Sequence, residues 1–232
     1  MPDTHGADAP EGDAYEATDP PVAGLLLAAG GGRRLGGRPK ALLEHRGRPL
    51  VEHAARALRA GGCTPVHVVL GASAPEVRER AVLPGAVLVD NPGWAGGMGS
   101  SLRAGLASLA GTDARAALVL LVDQPGIGAA AVARVVAAYR GPGSLVSAAY
   151  GGRRGHPVLF GADRWAEISA DATGDRGARA YLKARERDIV LVECGDVALP
   201  YDIDTEEDLS HLETGVAPES GGIGKGRAPE TE

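Results

Sequence analysis

Apolar positions along this chain follow two rhythms. Residues 22–28, VAGLLLA, form a continuous apolar run that stops at a Gly-rich segment, the pattern of a buried parallel strand. From 49 to 60 the apolar residues Leu50, Val51, Ala54 and Leu58 fall at helical spacing, and Gly61-Gly62 ends the pattern. VHVVLG at 66–71 and AVLVD at 86–90 predict two further strands, and residues 100–109 predict a helix. AALVLLVD at 116–123 is the most apolar strand candidate, and Pro125 closes it. Beyond it lie strand candidates at 144–150, 157–160 and 188–193, with helices at 129–139, 163–169, 176–186 and 206–212.

Strands alternating with helices imply an α/β fold, a mostly parallel sheet covered on both faces. Ligands in such folds sit beyond the carboxyl ends of strands. Chemistry is therefore expected after residues 28, 90 and 122, and each place carries an unusual segment. No fixed-period repeat interrupts this order.

Composition refines the picture without changing it. The 232 residues suit one domain with tails. Aromatics make up 3% of the chain, so Ala, Val and Leu must build the core. The net charge of −6 is concentrated at the ends: residues 1–20 carry six acids and no Lys or Arg. Residues 1–20 read as a disordered acidic tail, 21–213 as the folded domain and 214–232 as a second disordered tail. Cys63 and Cys194 are too far apart and too few for a disulfide scaffold or a Cys-based zinc site. No apolar run reaches the length of a membrane span, and residues 1–20 lack the apolar stretch of a signal peptide. The expectation is a cytoplasmic protein with no nucleic-acid or membrane partner. Of the 24 Lys and Arg residues only three are Lys, so a lysine inside a motif is informative.

The first such motif is LAAGGGRRLGGRPK at 27–40. Its glycines let backbone N–H groups approach phosphates, and Arg33, Arg34, Arg38 and Lys40 supply neutralising charge. A P-loop is excluded because Lys40 follows Pro39 and precedes Ala41. A dinucleotide fingerprint is excluded because Leu35 stands where the third glycine would be. A flexible surface loop is the plainer alternative.

The second is NPGWAGGMGSSLRAGL at 91–106, a Gly-rich turn entering a helix that Ser100 or Ser101 could cap. The third is Asp123, a carboxylate where the most apolar strand meets Gln124-Pro125. Such a group must be solvated, paired or metal-bound, and magnesium takes one or two carboxylates plus phosphates and waters. In YDIDTEEDL at 201–209, Asp202 and Asp204 share a side if extended, while Thr205 and Asp208 fit a cap arrangement. Lastly, His156 follows the Gly/Arg run 151–155, and GDRGAR at 174–179 is another Gly/Arg loop suited to phosphate.

The segment 27–40 resembles the signature loop LAAGxGxRxGxPK of nucleotidyltransferases with a Rossmann-like, three-layer α/β/α fold. That resemblance implies that Ala28, Ala29, Gly30, Gly31 and Gly32 line the nucleotide, with Arg34 and Lys40 on the triphosphate. Residues 36–38 make this loop one residue longer than the commonest spacing. NPGWAGGMGSSLRAGL, VDQP, RRGHPVLF, GDRGAR and YDIDTEEDL together resemble a narrower family, the molybdenum cofactor cytidylyltransferases. The resemblance implies base recognition by Gly97, Gly99 and Ser101, and acceptor binding by His156, Asp175, Arg176 and Arg179. It also implies Mg2+ held by Asp123 and Asp204, although Glu206 replaces the family's Pro in the last motif. The implied substrates are CTP and the molybdopterin cofactor, with a molybdenum hydroxylase as possible recipient. In that reaction Lys40, Arg34 and Asp123 would do the catalytic work. Two alternatives stay open: transfer from GTP or UTP to a sugar phosphate or phospholactate, and a non-catalytic carrier of the finished cofactor.

Overall fold

The computed structural model describes residues 22–214, so the first tail and residues 215–232 of the second lie outside the described residues, while Thr214 is helical. The chain enters on β1 (Val22–Ala28) and passes through the Gly-rich loop to a short hairpin, β2 (Glu44–His45) and β3 (Arg48–Pro49). Helix α1 (Leu50–Ala60), β4 (Val66–Leu70), α2 (Ala74–Arg80) and β5 (Ala86–Asp90) follow. Next come α3 (Met98–Ser108), β6 (Ala116–Leu121), α4 (Ala129–Ala137), β7 (Leu145–Tyr150) and β8 (Arg153–Gly161). Helices α5 (Trp165–Asp171) and α6 (Arg179–Ala184), strand β9 (Val190–Glu193) and helix α7 (Leu209–Thr214) complete the domain.

Seven strands form one sheet in the order β5-β4-β1-β6-β8-β7-β9. Every neighbouring pair is parallel except those of β8, which runs antiparallel to both β6 and β7. The side-chain period of two divides β1 between two cores. Ala23, Leu25 and Leu27 pack with Leu102 and Leu106 of α3, Ile168 of α5 and Tyr181 of α6. Val22, Leu26 and Ala28 face Leu50, Val51 and Leu58 of α1, Val132 and Val135 of α4, and Leu212 of α7. The result is the three-layer α/β/α domain expected from the sequence. With few aromatics, close approach of backbones replaces bulk. A Cβ on Gly105 would stand 2.4 Å from Leu25, so α3 lies directly on β1.

Besides the unexpected hairpin β2–β3 and the start of α6 at Arg179, not 176, three features differ from the sequence reading. Strand β8 starts at Arg153, not Pro157, because Gly151 and Gly152 both adopt positive φ (59° and 74°) and close a tight hairpin. A two-residue turn leaves no room for a crossover, so β8 must be antiparallel. Helix α2 was not expected: only Val77 of its seven residues is buried, which leaves no apolar periodicity to read. Helix α7 begins at Leu209, three residues later than expected, because Asp208 folds the preceding segment into a turn. Its carboxylate accepts from the backbone N–H groups of Asp204 (2.9 Å) and Thr205 (2.7 Å).

Candidate active site

The carboxyl ends of β1 and β6 open into a cleft of about 430 Å³, and the Gly-rich loop forms one wall of it. Within that loop Leu35 is fully buried and anchors the turn, while Arg33 and Arg34 remain exposed. The turn depends on glycine. Gly32 takes φ 59°, and a Cβ there would sit 1.9 Å from the Arg38 carbonyl oxygen. Arg38 is turned away from the cleft toward Glu206, 3.2 Å from its carboxylate. Gly31 is held small from the other side, where the Trp94 ring would lie 3.2 Å from a Cβ.

Lys40 reaches across from the end of the loop. Its Nζ donates to Asp123 at 2.6 Å and also to Asp204. Two loops distant in sequence thus meet on one ammonium. They are joined through the backbone as well, because Ile203 N–H donates to the Asp123 carbonyl at 2.9 Å and its side chain is fully buried. That burial turns Asp202 and Asp204 to the same side, and both line the cleft. Burial alone would lower the Lys40 pKa, but the charges and hydrogen bonds of Asp123 and Asp204 outweigh it, so the pKa is raised. Asp202 moves upward through burial and the nearby Asp123 charge, although Gln124 Nε2 donates to it at 2.8 Å.

The helix α3 end of the cleft is set by Asn91. Its buried carboxamide donates to Ser100 Oγ (2.9 Å) and Ser101 Oγ (3.1 Å) and accepts from Gly93 N–H (3.0 Å). Ser101, Gly97 and Trp94 line the cleft. Gly97 adopts φ 89°, and a Cβ there would come within 2.5 Å of Asp175 Oδ1 and of the Gly174 carbonyl carbon. The turn that enters α3 is therefore in direct contact with the 174–176 loop. Gly99 faces away from the cleft, against the backbone of Ala172 and Thr173.

A second cavity of about 420 Å³ adjoins the first and shares Leu27, Met98, Leu121 and Arg179 with it. His156 and Arg176 line this second cavity, and Asp175 lines the first. The backbone at His156 is fixed by Tyr150, whose hydroxyl donates to the His156 carbonyl at 2.7 Å. Ser147 Oγ donates to the Gly155 carbonyl at the same distance. Burial, then the nearby Arg179 and Arg154 charges, push the His156 pKa down to about 4, so the ring is neutral at pH 7.

Of the residues singled out from the sequence, Ala29, Gly30, Gly31, Gly32, Arg34, Lys40, Gly97, Ser101, Asp123, Asp175, Arg179 and Asp204 converge on the first cleft. Ala28 and Gly99 do not line it; Ala28 is a buried strand end. Sequence reasoning gave no role to Asn91 or Asp202. For Asp202 the signal was present in the alternation around Ile203.

Residues 24–189 match the MobA-like NTP transferase domain. The chain belongs to the MobA-like NTP transferase family. The family's reaction class, nucleotidyl transfer, accords with a cleft at the strand ends walled by a Gly-rich loop. Relatives within reach of this family carry diverse names. Nicotine blue oxidoreductase of Paenarthrobacter nicotinovorans is 44% identical over 200 residues, covering 83% of this chain and 97% of that protein. Molybdenum cofactor guanylyltransferase of Rhodobacter capsulatus is 34% identical over 202 residues, covering 83% and 95%. Among solved structures, Rv0371c of Mycobacterium tuberculosis H37Rv is 27% identical with a TM-score of 0.71, covering 84% of this chain and 98% of that one. That protein has also been solved in complex with manganese. Among the described residues, no helix of this MobA-like domain is long and apolar enough to cross a membrane.

Proposed function

We propose that the chain transfers a nucleoside monophosphate from an NTP to a small phosphorylated acceptor. CTP with molybdopterin is one candidate pair, and GTP or UTP with a sugar phosphate or phospholactate is the other. The observation that supports this most is the convergence of Lys40, Asp123 and Asp204 at the mouth of a Gly-walled cleft beside a second, cation-rimmed cavity.

In this reading the triphosphate lies along Gly30, Gly31 and Gly32, with Arg34 and Lys40 on its phosphates. Gly97 and Ser101 face the base, and His156, Asp175, Arg176 and Arg179 hold the acceptor. An acceptor phosphate oxygen attacks the α-phosphorus in line. The α–β phosphoanhydride bond breaks, a new P–O–P bond forms, and pyrophosphate leaves. The attacking phosphate is already ionised, so no side-chain nucleophile is needed. Rate comes from positioning and from cations facing the developing charge.

Among the described residues no three His, Cys, Asp or Glu side chains are arranged to hold a metal by themselves. The pair Asp123 and Asp204, already gathered on one cation, nevertheless suits Mg2+, which completes its shell with phosphates and waters. When bound, the ion would supply positive charge to the phosphates. Lys40 would then turn from the carboxylates to the phosphates.

The test incubates the protein with each α-labelled NTP, Mg2+ and a panel of phosphorylated acceptors that includes molybdopterin. Label should move to an acceptor with release of pyrophosphate, and Asp123→Ala should abolish it. If molybdopterin and CTP are the best pair, the narrower assignment with its molybdenum hydroxylase recipient follows; GTP would align the chain with the Rhodobacter relative. A second reading, favoured by the 44% identity to the Paenarthrobacter protein, is a redox reaction in the same cavities. Substrate-dependent consumption of a supplied reductant without label transfer would establish it.

A further inference from the structure

The second cavity has a lopsided chemistry. Its walls are Leu102, Val119, Leu121, Val158, Phe160 and Leu182, which belong to the core beneath the sheet face or pack against it. Its rim carries four cations, Arg154, Arg176, Arg179 and Lys183, all exposed. No Asp, Glu, Asn, Gln, Ser or Thr side chain lines it among the described residues. The polar side chains present are therefore cationic donors and the neutral ring of His156. The backbone carbonyls of Gly155 and His156 are already engaged, by Ser147 and Tyr150.

A polyhydroxylated ligand would find a single side-chain acceptor here, the unprotonated ring nitrogen of His156. Sugar hydroxyls need acceptors as well as donors, and each hydroxyl desolvated without a partner lowers affinity about ten-fold. An apolar body gains from the same walls, and an anionic group gains from the rim. A volume of about 420 Å³ is within the range of small-molecule sites.

We infer that the acceptor is an apolar, ring- or chain-bodied molecule carrying a phosphate, not a sugar phosphate. This deepens the transfer reading and rests on it. The phosphate would lie under Arg179, which borders both cavities and so faces the nucleotide. The apolar body would extend toward Val158 and Phe160. Met98, shared by both cavities and packed against Gly177, stands between the two halves.

The experiment is calorimetric binding to the full chain of four probes: 1-naphthyl phosphate, 1-naphthol, glucose 1-phosphate and inorganic phosphate. Each is measured with and without the Mg2+ complex of a non-hydrolysable α,β-methylene NTP. Naphthyl phosphate should bind at least ten-fold more tightly than the other three and should persist when the nucleotide analogue is present. Arg176→Ala with Arg179→Ala, both exposed side chains that should not disturb folding, should weaken it ten-fold or more. Glucose 1-phosphate binding as tightly as naphthyl phosphate would overturn the inference. So would displacement of naphthyl phosphate by the nucleotide analogue, which would put the probe in the nucleotide cleft. The labelled-NTP assay separates the two claims. Label reaching only a sugar phosphate keeps the transfer reading and removes this one. Tight naphthyl phosphate binding with no transfer to any acceptor keeps the ligand class and removes the transfer reading.

Discussion

Lys40→Met isolates what the shared ammonium does. In the wild-type chain Lys40 Nζ serves both Asp123 and Asp204. Breaking a fully buried ion pair by removing one partner costs about 3–5 kcal/mol, because the remaining charge is stranded. Here the Lys40 and Asp123 side chains keep 16% and 19% of their exposure and Asp204 keeps 44%, so water screens much of that charge. The discounted cost is about 1–2 kcal/mol, read as a shift of the denaturant midpoint at pH 7 without metal. The same substitution leaves two neighbouring carboxylates with no cation between them. The variant should therefore bind Mn2+ in the absence of nucleotide at least ten-fold more tightly than wild type, measured from the free-ion EPR signal. Added Mn2+ should in turn restore its stability by mass action. Transfer activity should nevertheless fall about 10²–10³-fold, the scale for losing one charge-stabilising group at a transition state. A stability change within about 0.5 kcal/mol together with unchanged Mn2+ affinity would refute the picture of Lys40 as the cation that the metal replaces.

Three other perturbations test the surrounding architecture. Gly97→Ala places a side chain at φ 89° and 2.5 Å from Asp175 Oδ1; strain of about 1–3 kcal/mol before any clash should lower Tm and weaken NTP binding at least ten-fold. Asn91→Ala removes the carboxamide that serves Ser100, Ser101 and Gly93. It should cost about 1–3 kcal/mol by denaturant titration and raise KM for the NTP more than it lowers kcat. The His156 pKa is pushed down to about 4, so the unfolded chain takes up a proton at higher pH than the folded one. Wild-type stability should thus fall as pH drops from about 6.5 toward 4. His156→Gln should show a shallower fall over that window, while His53 and His67, also lowered by burial, act alike in both proteins.

The layered fold was legible because the apolar runs are clean. VAGLLLA is wholly buried as β1, and AALVLL is β6 with its last residue at the cleft. Direction was harder to read. PVLF predicts a strand but says nothing of its sense, which is settled by the positive φ of Gly151 and Gly152 at the hairpin. Helix α2 escaped because one buried Val77 makes no period. At the site, glycines and charges marked loops that line the cleft, and the Asp202–Ile203–Asp204 alternation held because Ile203 is fully buried. What the sequence left out were partnerships across the chain. Asn91 matters through hydroxyls it holds nine and ten residues away, and Arg38 turns out of the Gly-rich loop toward Glu206. The family resemblance implied a base contact at Gly99, yet in the structure it packs α3 on residues 172–173. None of these follows from spacing, because each depends on which loops the fold brings side by side.

The most direct test of the central claim is thermal stabilisation by each of the four NTPs, with and without Mg2+, on wild type and Asp123→Ala. At about 100 times its dissociation constant a ligand adds roughly 2.7 kcal/mol to the stability of the folded chain. The account predicts that at least one NTP raises the wild-type Tm accordingly, that Mg2+ is required for the full shift, and that Asp123→Ala loses it while its own fold persists. No shift with any NTP, or an equal and metal-independent shift in the variant, would contradict it.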